Sequence, residues 1–104
     1  MPKSHPPAIP VPPAPLQADE AGTIKRIVGR FYGADAIIRN WGPDPTSLLL
    51  HVETKLDRDE LARQNCLAVL FTRIDRKQID LVVTRRGWSP AGLAKIAHRQ
   101  GEVI

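Results

Sequence analysis

Ser47-Leu48-Leu49-Leu50-His51-Val52-Glu53-Thr54-Lys55 decides the fold. A continuous apolar run gives way here to alternation, the pattern of a strand near the middle of a sheet. The stretch just before it, Gly42-Pro43-Asp44-Pro45-Thr46, is a dense cluster of turn formers. Upstream of that turn, Ala34 to Trp41 reads as another strand, carried by Ala36, Ile37 and Ile38. Two strands joined by so short a turn are expected to be antiparallel neighbours.

Further upstream, Ile24, Ile27, Val28 and Phe31 recur at i, i+3, i+4 and i+7, the single buried stripe of an amphipathic helix. Thr23 or Asp19 caps it, and Gly22 favours the later start. Lys25, Arg26 and Arg30 fall away from the stripe, and Gly33 is a natural stop.

Downstream of the organising strand, Asp57 followed by Glu60 fits a capping-box pattern, and Asp59 and Glu60 suit a first helical turn. The end of this helix has two readings. In one it runs to about Ile74, with Leu67, Leu70, Phe71 and Ile74 as its stripe. In the other it stops near Asn65, and Leu67 to Ile74 is a strand. The longer helix is favoured, because two turns alone are marginal. Gln78 to Arg85 is a strand in either case. Arg85-Arg86-Gly87-Trp88 leaves the sheet, and Ser89-Pro90 opens a last helix that runs to about Arg99 and closes at Gly101. Leu93, Ile96 and Ala97 are expected to face inward.

The element order predicts an α+β fold. It should be a small two-layer sandwich, with a mostly antiparallel sheet of three or four strands and helices packed on one face. Residues 19–104 form this single domain. Seven of the ten prolines fall in the first fifteen residues, so residues 1–18 are expected to be a disordered proline-rich tail. Its Pro7–Pro10 and Pro12–Pro15 spacings suit docking to a partner groove. So short a sheet leaves edges, and a homodimer by edge or helix contact is expected.

Cys66 is the one cysteine, which excludes an intrachain disulfide and a Cys-rich metal site; a buried thiol is expected. The longest apolar run, Cys66 to Phe71, falls far short of the roughly 18 residues of a membrane span. The start shows no secretory pattern. These readings give a cytoplasmic protein with no membrane partner.

Glu53-Thr54-Lys55, with Pro43-Asp44 upstream, resembles the signature of the PD-(D/E)xK nuclease superfamily. The resemblance implies a divalent-metal-dependent nuclease. Asp44 and Glu53 would hold Mg²⁺ or Mn²⁺, and Lys55 would position or activate water. Asp35 is a substitute for Asp44. Read from alternation alone, Glu53 and Lys55 are the solvated face of a half-buried strand. No other catalytic set emerges: His51 and His98 stand at no metal spacing with another ligand.

The formal net charge is +4, and the excess lies in the last third of the chain. Arg73, Arg76, Lys77, Arg85, Arg86 and Arg99 form the expected positive patch, with Trp88 as a stacking ring unless it plugs the core, a choice that also stands for Trp41. The composition therefore points first to a small basic, non-enzymatic binding module for nucleic acid or an acidic protein surface. The nuclease and a structural or regulatory interaction domain are the alternatives.

Overall fold

The structure, a computed structural model, describes residues 13–17, 19–56, 60–87 and 92–104. Three helices pack against a mixed four-stranded sheet, the expected α+β sandwich. The elements run in the order α1 (Glu20–Tyr32), β1 (Ile37–Asn40), β2 (Ser47–Thr54), α2 (Glu60–Arg73), β3 (Gln78–Arg85), α3 (Leu93–Gln100) and β4 (Glu102–Val103). The sheet order is β3-β2-β1-β4. β1 is antiparallel to both β2 and β4, and β3 runs parallel to β2 because α2 carries the chain back across the sheet.

The predicted stripe of α1 is buried through Ile24, Ile27 and Val28, with Tyr32 completing it and Phe31 only partly covered. The helix starts at Glu20, earlier than Gly22 suggests. The Glu20 carboxylate accepts the Gln17 N–H at 2.6 Å, and the Thr23 hydroxyl donates to Asp19 O at 3.0 Å, so the first turn is held from both sides. Gly33 stops the helix at φ +93°, where its N–H reaches Gly29 O at 3.0 Å. α2 runs to Arg73, as the longer reading has it. Its buried residues are Cys66 and Leu70, with Ile74 buried just past its end, while Phe71 lies exposed.

Alternation along the strands sorts the sheet into two faces. Leu48, Leu50 and Val52 of β2, with Ile38, Ile79 and Leu81, meet α1 and α2 in one apolar core. The opposite parity, with Arg39, His51, Glu53 and Thr84, faces α3. That helix therefore lies across the sheet from α1 and α2 rather than beside them. Its contacts are small: Ala94 and Ala97 are buried, and Ile96, expected inward, is exposed. Close approach is enforced where Gly101 passes β1, since a β-carbon there would stand 2.9 Å from that of Arg39.

Parts of both sheet edges are covered by other groups. Gln78 and Arg86 donate their N–H groups to Thr46 O and Thr54 O at 3.2 and 2.7 Å, so the odd-numbered peptides of β3 face outward. At the middle of that edge the Asp80 carboxylate takes the Leu81 N–H at 2.8 Å, and Arg63 donates to Leu81 O at 3.3 Å. At the other edge, beyond the short β4, Ala14 donates to Gly42 O at 2.7 Å and accepts from the Asn40 side chain at 2.9 Å. Pro13 and Pro15 flank it and have no N–H to offer a further strand. Among the described residues, no helix is long and apolar enough to cross a membrane.

Candidate nucleic-acid interface

The residues of the nuclease resemblance fall in separate places. Asp44 sits exposed at the tip of the β1–β2 turn. Its Oδ1 accepts from the Thr46 N–H at 2.8 Å, the Thr46 hydroxyl at 2.6 Å and the Ser47 N–H at 3.0 Å. The Thr46 hydroxyl and amide hold its carboxyl below the usual range. Glu53 lies about 20 Å further on at strand rise, near the far end of β2. There it pairs with Arg39, and His98 Nε2 stands 3.6 Å away. β2 ends at Thr54, so Lys55 is outside the strand, 3.4 Å from Asp35 across an exposed gap. Among the described residues, no group of three His, Cys, Asp or Glu is disposed to hold a metal ion.

The basic residues read from the sequence also separate. Arg76 is committed to structure: it forks onto Glu20 at 2.5 and 2.9 Å, donates to Pro45 O, and has a side chain only 5% exposed. That clamp ties α1 to the β1–β2 turn and to the start of β3, and it pulls the Glu20 carboxyl below its ordinary value. Lys77 and Arg85 flank β3 at opposite ends, about 25 Å apart. Arg86 donates to Asp35 O and stands 3.9 Å from its carboxylate. Arg99 is on α3, on the other side of the sheet from Arg73. Trp88 lies outside the described residues, and Trp41 is half-buried.

What the fold does gather is a trough along the seam of α1 and α2. One compartment, about 160 Å³, is lined by Thr23, Arg26, Ile27, Arg30, Val69 and Arg73. Arg26 and Arg30 lie one turn apart on α1, and Arg73 joins them from the last turn of α2. Arg26 donates to the Thr23 hydroxyl at 3.4 Å, and none of the three arginines has an acidic partner among the described residues. A second compartment of about 360 Å³ continues from it, sharing Thr23 and Arg73. Its other walls include Gln17, Asp19 and Asp75.

Arg26 and Arg30 are visible in the sequence as the solvated side of a helix. Their convergence with Arg73 is not, because it depends on which flank of α2 lies against α1. Comparison of the chain with protein families, with curated proteins and with solved structures found no match.

Proposed function

We propose that this chain is a non-enzymatic nucleic-acid-binding module that meets phosphate through the α1–α2 seam. The observation that carries the reading is the convergence of Arg26, Arg30 and Arg73 on one trough without acidic partners among the described residues. Guanidinium groups present a planar fork of donors that matches phosphate oxygens, and here the fold takes one Arg26 donor, on the Thr23 hydroxyl, and no carboxylate among the described residues takes any. The net charge of +4 adds a long-range attraction for a polyanion. Lys25, exposed on the same helix, belongs to the opposite flank of α1, beside Gly29 and Ala36. Arg76 serves as a structural clamp.

The test is fluorescence anisotropy with labelled DNA and RNA across a series of salt concentrations. Three phosphate contacts give a slope of log K against log salt of about −2 to −3. Arg26→Ala, Arg30→Ala and Arg73→Ala should each weaken binding and lower that slope by about 1. Absence of binding at low salt, or affinity indifferent to all three substitutions, overturns the reading and leaves an acidic protein surface as the partner to seek.

A further inference from the structure

The trough is not uniformly basic. Its arginine compartment opens into one whose free polar groups are of the opposite sign. Glu20 is spent on Arg76 and on the Gln17 N–H. Asp19 and Asp75 line the same space with carboxylates that have no partner among the described residues. Along α1, Asp19 and Arg26 stand about 10 Å apart. Thr23 and Arg73 line both compartments and mark where they join. A bare polyanion fills only the arginine end and is repelled at the other. A ligand that satisfies the whole trough carries phosphate at one end and hydrogen-bond donors at the other.

Resting on the reading above, we infer that the trough takes one unpaired nucleotide of a single strand. Its phosphate lies among Arg26, Arg30 and Arg73, and its base turns an exocyclic amine to Asp19 and Asp75. Carboxylates accept from amines such as N4 of cytosine and N6 of adenine, whereas thymine and uracil carry no exocyclic amine. In a duplex one hydrogen of each amine is spent on the opposite base, so both can be offered to the two carboxylates only on a single strand.

The experiment compares oligodeoxyadenosine, oligodeoxycytidine and oligothymidine of equal length, each single-stranded, and a mixed-sequence duplex of the same length. The adenine and cytosine strands should bind about tenfold more tightly than the thymine strand, and more tightly than the duplex. Asp75→Ala, and separately Asp19→Ala, should shrink the preference while affinity for oligothymidine holds or rises, because a negative charge leaves a site that holds phosphate. Asp19 makes no side-chain cap bond, so its removal leaves the helix start in place. Arg73→Ala should weaken all strands together. Equal affinity for the three strands with a steep salt dependence, or preference for the duplex, overturns this inference and leaves the phosphate-binding reading standing. Failure of every strand to bind overturns both.

Discussion

On β2, Leu48, Leu50 and Val52 point to α1 and α2, while Leu49, His51 and Glu53 point to α3. Two faces of one sheet, built from alternate residues of the same strands, are held by different physics. The α1–α2 face is a continuous apolar core whose strength scales with area removed from water. The α3 face is thin. Its helix contributes alanines, and beneath it lie an Arg39–Glu53 pair, a buried His51 bonded through Nε2 to the Thr84 hydroxyl at 2.8 Å, and His98 above Glu53. The first face depends on pH chiefly through the Glu20–Arg76 pair at its end. The second depends on protonation states and on buried polar contacts, and His51 Nδ1 is already buried there without a hydrogen-bond partner among the described residues.

The largest expected effect is on the apolar face. Leu50→Ala removes a side chain with no exposed surface and should lower stability by about 3 kcal/mol, read as a lower urea midpoint. On the polar face, Arg39→Met should lose about 2 kcal/mol, since it leaves Glu53 largely buried with histidines, His51 and His98, as its neighbours in place of a fixed cation. The double variant Arg39→Met with Glu53→Leu should recover most of that loss. A double variant as unstable as the sum of its parts would show that the pair is not the coupled unit described.

Acid should separate the faces more finely. Burial, followed by the nearby Arg39 cation, lowers the pKa of His51 from 6.5. The unfolded chain then takes a proton at a higher pH than the folded one, so stability is full above about pH 6.5 and declines as pH falls below it. Glu20 is lowered from 4.5, chiefly by its bond to Arg76, so its contribution is present above 4.5 and is lost only further down. Urea midpoints followed from neutral to acid pH should therefore fall first for the α3 face. His51→Leu should flatten the upper limb, and Glu20→Gln the part of the lower limb that Asp44 and Glu60, also lowered, do not supply. An upper limb unchanged in His51→Leu would assign it elsewhere.

The apolar face was legible in the sequence because it is written in periodicity. Ile24, Ile27 and Val28 on α1 and Leu48, Leu50 and Val52 on β2 declare their side by spacing alone. The polar face was not. His51 and Glu53 alternate with the core residues just as solvated residues do, and only the return of α3 over them converts a wet strand face into a buried one. β4 escaped because two residues carry no pattern. Ile96 misled because α3 approaches through its small residues. The basic patch drawn from the chain's last third overlooked that Arg76 belongs to Glu20, fifty-six positions away. The trough arginines were seen as charges and not as neighbours, since neighbourhood across α1 and α2 is set by packing.

The smallest expected change in stability comes where the faces meet, at the outer edge of β3. Asp80 belongs to the α3 side and Arg63 reaches over from α2, and the two occupy the N–H and C=O of Leu81 between them. Arg63 also holds Glu60, an exposed pair of little worth to folding. Arg63→Ala and Asp80→Ala should each cost less than about 1 kcal/mol. Their consequence lies in association. With both gone, the middle of an eight-residue edge offers an open donor and acceptor to another strand. Sedimentation over a range of concentrations should show the double variant more associated than the parent. The opposite edge, stopped by Pro13 and Pro15 around Ala14, supplies the control: Pro13→Ala alone should leave β3 pairing untouched. A double variant that sediments as the parent does at every concentration would mean that something other than these two side chains keeps the edge from pairing, and the seam between the faces would lose its protective role.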